Sequence, residues 1–96
     1  MRLENKVCIV TGGGQGIGEA IAMRLAVEGA RVVIAEINAE NAQRVAGEIN
    51  AMAGEALALP TDISDTESVT EMAKTTIEKY GRIDVLMNNA AVYAGL

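Results

Sequence analysis

Ninety-six residues, half of them hydrophobic, suffice for one domain (1–96) whose core buries roughly 60–70% of the surface the unfolded chain exposes. Thirteen acidic against eight basic residues, a formal charge of -5 and no Lys/Arg cluster exclude nucleic-acid binding through phosphate contacts, and no apolar run approaches the ~18 residues of a membrane helix. A soluble, cytoplasmic protein is expected, with an aliphatic core of the kind that suits parallel strands, since there are two Tyr and no Phe or Trp.

The first strand reads from Lys6 to Thr11. It contains the single Cys8, which cannot form an internal disulfide and is expected to be a buried, inert thiol. With one Cys and no His, metal binding and imidazole catalysis are set aside. The strand runs into Thr11-Gly12-Gly13-Gly14-Gln15-Gly16-Ile17-Gly18. A strand that turns sharply into a helix offers unpaired N–H groups and a positive dipole end, so this turn is a phosphate cradle. Its spacing is T-G-x-x-x-G-x-G, not G-x-G-x-x-G. Gly12 is assigned the tight turn, Gly16 the room for a pyrophosphate and Gly18 close helix-to-strand packing. The spacing asks for no glycine at Gly13 or Gly14, which read as added flexibility.

The first helix is expected from about Gly16 to Glu28, with Ile17, Ile21, Ala22 and Leu25 on its inner face and Gly29 as its C-terminal glycine. Arg31 to Glu36 is the second strand. Glu36, 18 positions beyond Gly18, is placed to accept bonds from adenosine ribose hydroxyls and to repel a 2′-phosphate. Gln15 is not basic, and both residues favour NAD over NADP. A second helix from Ala39 to about Ala53 carries Ala42, Val45, Ala46, Ile49 and Met52 inward, between Asn38 and Gly54. The third strand, Ala56 to Pro60, puts Pro60 where an edge tolerates it.

Asp62 follows at the carboxyl edge, where it is equally a ligand contact or a turn residue. A third helix, about Thr66 to Tyr80, follows a capping-box pattern in Ser64-Asp65-Thr66-Glu67, buries Val69, Met72, Ala73, Ile77 and Tyr80, and closes at Gly81. The last strand, Ile83 to Asn88, ends in Asn88-Asn89-Ala90-Ala91. Adjacent Asn side chains there can bond across strand ends and hold the glycine turn, while Ala90 and Ala91 leave space for a ribose. Alternating strands and helices require right-handed crossovers, hence an α/β doubly wound parallel sheet of four strands in the order 3-2-1-4 with three helices.

Four features in order, the glycine turn, Glu36, Asp62-Ile63 and Asn88-Asn89-Ala90, make the chain resemble the N-terminal part of a short-chain dehydrogenase/reductase. The resemblance implies a Rossmann-type fold, incomplete relative to the full family domain. It also implies a nicotinamide dinucleotide cofactor held by the turn from Gly12 through Ile17, with Asp62 and Ile63 flanking the adenine and Asn89 and Ala90 near the nicotinamide-side ribose. Ala91 stands where the family motif N-N-A-G has glycine. The family's catalytic Ser, Tyr-x-x-x-Lys pair and further Asn have no counterpart: Tyr80 is followed four places on by Asp84, and no residue stands four places after Tyr93. No catalytic residue is assigned. The expectation is the cofactor-binding half of an NAD-dependent oxidoreductase acting on an alcohol or carbonyl, present as a fragment or covering its open sheet by self-association. A non-catalytic NAD-binding module or truncated product is the alternative, and a methyltransferase a weaker one.

Overall fold

The computed structural model describes residues 2–89. Seven elements follow one another: β1 (Val7–Thr11), α1 (Gly16–Val27), β2 (Arg31–Glu36), α2 (Ala39–Ala51), β3 (Glu55–Pro60), α3 (Thr66–Tyr80) and β4 (Val85–Asn88). The four strands form one sheet in the order β3-β2-β1-β4. All three pairings are parallel, with Thr11 beside Ala35 on one side and Asn88 on the other. The predicted topology is the observed one, and Pro60 closes a strand at the sheet edge.

Strands β1 and β2 are buried on both faces, as their unbroken aliphatic runs demand. Cys8, Val10, Val32 and Ile34 face α1 and α2, whereas Val7, Ile9, Val33 and Ala35 face Met72 of α3. Each fully buried Val or Ile contributes roughly 1.5–3 kcal/mol relative to exposure. Burial pushes the Cys8 thiol up from its ordinary range, and the Asp84 carboxylate adds to the shift. The thiol is therefore a poor nucleophile.

The helix faces differ from expectation in three places, the first two in α1 and α3. Helix α1 buries Gly18, Ala22 and Ala26, while Ile17 is 67% exposed. The close approach of α1 to β1 requires residues without bulk along the contact, which turns the larger Ile17 outward. In α3, Thr76 is buried and Ile77 exposed, the Thr76 hydroxyl donating to the Met72 carbonyl at 2.8 Å so that it enters the core satisfied.

The start of α3 is also not a capping box. Asp65 is the N-cap, its carboxylate accepting from the Glu67 N–H at 3.0 Å, and the hydroxyl of Ser68 is taken by the Asp62 N–H at 2.9 Å. At its other end Gly81 is left-handed (φ 81°) and donates its N–H to the Ile77 carbonyl, as expected of a C-terminal glycine. Helix α2 stops at Ala51, leaving Met52 exposed. Strand β4 begins two residues later than expected, because the Asp84 carboxylate takes the Val7 N–H at 2.8 Å in place of a backbone carbonyl.

Candidate functional site

The carboxyl ends of the strands converge on the glycine turn. Gly12 takes a left-handed φ of 68°, sending the chain off the end of β1, and its N–H donates to the Ala35 carbonyl at 2.8 Å. Below it, Gly18 sits so close that a Cβ would collide with the Gly12 carbonyl oxygen and lie 2.8 Å from Asn89 Nδ2. Strand β4 is tied to the same point through Thr11. The Thr11 hydroxyl accepts the Asn89 N–H at 2.9 Å and lies 3.2 Å from both the Met87 carbonyl and Asn88 Oδ1. Asn89 Nδ2 reaches the Gly12 carbonyl at the long distance of 3.5 Å.

Gly14 is confined rather than flexible, which corrects the sequence-based expectation. A Cβ there would lie 2.7 Å from Glu36 Cγ and 2.8 Å from Asn41 Cβ, and one at Gly13 would lie 3.1 Å from the Val10 carbonyl oxygen. Glu36 is 7% exposed, and its carboxylate is already bonded. Its Oε1 accepts the Gly14 N–H and its Oε2 the Asn38 N–H, each at 3.1 Å. Glu36 therefore braces the turn as well as facing the opening above it.

Gln15 is the N-cap of α1 and supplies no capping bond. The first N–H groups of a helix have no intrahelical acceptor, and no side chain caps those of Gly16, Ile17 and Gly18. Gly16 and Ile17 border a cleft of about 560 Å³, lined also by Gly12, Gln15, Glu36, Ile37 and Asn89. A neighbouring recess of about 180 Å³ shares Gly12, Glu36 and Ile37 and adds Asp62 and Ile63. Asp62 is a turn residue here, accepting the Ser64 hydroxyl at 2.6 Å and the Ser64 N–H at 2.9 Å. These bonds hold its carboxyl below the ordinary carboxylate range, so it is an acceptor at neutral pH.

The structure thus brings together Gly12, Gln15, Gly16, Ile17, Glu36, Asp62, Ile63 and Asn89 along two adjoining hollows, with Gly18 buried beneath. Ala90 and Ala91 lie outside the described residues. Sequence reasoning missed three contributors. Thr11 belongs to the motif but was given no task, Ile37 is 69% exposed beside Glu36, and Arg44 reaches the turn from α2. Only Thr11 carried a sequence signal. Tyr80 lies at the opposite end of the sheet, its ring 5.7 Å from the Arg31 guanidinium, and burial pushes its phenol up rather than toward neutrality. It is structural.

A doubly wound parallel sheet whose glycine turn opens a helix at the switch point defines a nucleotide-binding α/β protein. A family model described as short chain dehydrogenase matches residues 6–95, and the chain belongs to that family. It is 46% identical over 93 residues to a meso-2,3-butanediol dehydrogenase of Serratia marcescens, covering 97% of this chain and 36% of the relative. To a 7alpha-hydroxysteroid dehydrogenase of Escherichia coli it is 42% identical, covering 94% of this chain and 35% of that protein. A crystal structure of hydroxysteroid dehydrogenase from Escherichia coli superposes with a TM-score of 0.90 at 42% identity, over 92% of this chain and 37% of that one. A 3-ketoacyl-(acyl-carrier-protein) reductase from Brucella melitensis complexed with NADH gives 0.81 at 44% identity, over 88% and 33%. The chain spans little more than a third of the length of these relatives. Family membership removes the methyltransferase alternative.

Proposed function

We propose that this chain forms the cofactor-holding part of a nicotinamide-dependent oxidoreductase that acts on an alcohol or carbonyl compound. The observation that carries the reading is the start of α1, where no side chain caps the helix and the position of a Gly16 Cβ is open space, with nothing within 4 Å. A pyrophosphate fits that place: it takes the free N–H groups, the helix dipole favours its charge, and the absent Cβ admits it. Asp62 and Ile63 would flank the adenine, and Asn89, Ala90 and Ala91 the far ribose. A bound dinucleotide supplies the hydride exchanged with substrate, and this chain's residues bind and orient it. Relatives named as dehydrogenases and reductases, one of them in complex with NADH, support the class.

NAD rather than NADP is favoured because Glu36 holds a carboxylate beside the ribose position and Gln15 brings no positive charge. Titration with NADH and NADPH tests the reading, and binding of neither would leave only the fold. Replacing Glu36→Ser together with Gln15→Arg should shift preference toward NADPH at least tenfold, about 1.4 kcal/mol. An unchanged ratio of affinities would end the assignment to NAD.

A non-catalytic NAD-holding module remains the second reading, since no Ser, Tyr or Lys lines the cleft among the described residues. Hydride transfer by the protein would exclude it. We also propose a cytoplasmic location, where the single Cys8 stays reduced, and self-association through the β4 side of the sheet, where Leu86 is 57% exposed. Export of the protein in a cell fractionation would contradict the first, and a stable monomer in size-exclusion chromatography the second.

A further inference from the structure

Gly14 is gripped on both sides, through the peptide that precedes it and the peptide that follows it. Its N–H goes to Glu36 of β2, and its carbonyl accepts from Arg44 Nη2 of α2 at 2.9 Å. The same guanidinium meets both oxygens of Glu19, Nη2 to Oε1 at 3.1 Å and Nη1 to Oε2 at 3.3 Å, so that one planar fork spans the turn and the first turn of α1. Glu48 adds a contact at 3.4 Å from the next turn of α2. Asn41, three residues before Arg44, reaches the Gln15 side chain at 3.4 Å.

An exposed ion pair such as Arg44–Glu48 contributes little by itself. The bond to Gly14 differs, because it joins residues 30 apart and fixes a peptide that two neighbouring side chains already hem in. Its acceptor adjoins Gln15, Gly16 and Ile17, which line the cleft.

We propose that Arg44 is a positioning residue for dinucleotide binding: by bridging the Gly14 carbonyl and the Glu19 carboxylate it holds the glycine turn and the start of α1 in the arrangement that receives a pyrophosphate. The inference rests on the function proposed above. Arg44 acts through the turn, its fork being occupied by Gly14 and Glu19. What it supplies is geometry, which a lysine, a point charge without the fork, cannot reproduce.

The test compares ADP-ribose, which carries the pyrophosphate, with adenosine, which does not, by calorimetry and ligand-observed NMR. Arg44→Ala should weaken ADP-ribose about tenfold, the scale of a lost charge-assisted bond, and leave adenosine within twofold. Arg44→Lys should lose most of the same factor despite keeping its charge. Arg24→Gln, which removes an equal charge from an arginine whose side chain is 75% exposed, should bind as the unaltered protein does. Glu19→Gln should show a smaller loss of the same kind, non-additive with Arg44→Ala. If Arg44→Ala does not fold, Arg44→Lys and Glu19→Gln carry the test. Full affinity in Arg44→Lys, or equal losses for ADP-ribose and adenosine, would overturn the inference. Failure of the unaltered protein to bind ADP-ribose would instead overturn the proposed function.

Discussion

Two of the three helices begin with a side chain turned onto their own backbone, and the third does not. Asn38 accepts the Asn41 N–H at the start of α2, and Asp65 accepts the Glu67 N–H at the start of α3, both at 3.0 Å. At the start of α1, Gln15 occupies the capping position and its side chain turns away, toward Asn41. A cap of this kind stabilises by about 1 kcal/mol, so α1 forgoes a gain that its neighbours take. The difference separates two uses of one element: α2 and α3 use their dipole ends for stability, whereas α1 leaves its own uncapped, as the proposed binding of an anion there requires. Stability at the turn comes instead from sterically enforced contact and from the grip of Glu36, Thr11 and Arg44 around it.

The comparison breaks most severely at Gly18. A methyl group there meets backbone, the Gly12 carbonyl, and backbone cannot rotate aside as a side chain can. Gly18→Ala should cost about 3 kcal/mol in urea unfolding, the upper part of the overpacking range, and remove measurable NADH binding. A variant of normal stability and affinity would mean that α1 can move off β1, and that the close contact does not shape the site.

A smaller effect exchanges the roles of the helix ends. Gln15→Asp gives α1 the cap it lacks and should add up to about 1 kcal/mol of stability. It also sets a carboxylate at the proposed pyrophosphate position, so NADH affinity should fall tenfold or more. Asp65→Ala should do the reverse, losing about 1 kcal/mol with NADH affinity unchanged. If Gln15→Asp bound NADH normally, α1 would not be reserved for the ligand.

Much of this arrangement was legible in the chain. Strand order, the glycine turn, Glu36 at the end of β2 and the Asn88-Asn89 junction follow from local patterns, because each depends on residues close in sequence or on a crossover rule. Helix α1 misled in part: Ala22 and the close packing of Gly18 were legible and Ile21 and Leu25 pack against the core, but hydrophobic weight pointed to Ile17, which is exposed, and passed over Ala26, which is buried. Closeness of approach outranked apolar bulk. Gly14 was underrated for a related reason: what confines it is Glu36 and Asn41, distant in sequence. Arg44 had no signal at all, since a guanidinium 30 residues from its carbonyl acceptor reads as another charge on an exposed helix face.

The least of these effects lies at the other end of the sheet, where polar groups are matched within the protein rather than left open. The Asp84 carboxylate accepts from Arg82 at 2.8 Å and from the Val7 N–H at 2.8 Å, and these two bonds, that from Arg82 foremost, hold its carboxyl below the ordinary range. Since its folded pKa lies below the unfolded value of about 3.9, the stability it contributes is complete above that pH. It is lost as the pH falls through the lower, folded value. Asp84→Asn keeps an acceptor for Val7 but cannot pair with Arg82, so the acid-induced loss of stability below about pH 4 should be shallower than in the unaltered protein. NADH affinity at neutral pH should not change, because the substitution lies at the amino end of β4 and the cleft at its carboxyl end. A pH profile left unaltered would mean that the ion pair there contributes nothing to folding. A fall in NADH affinity would mean that the two ends of the sheet are coupled, and that the separation between a matched end and an open end does not hold.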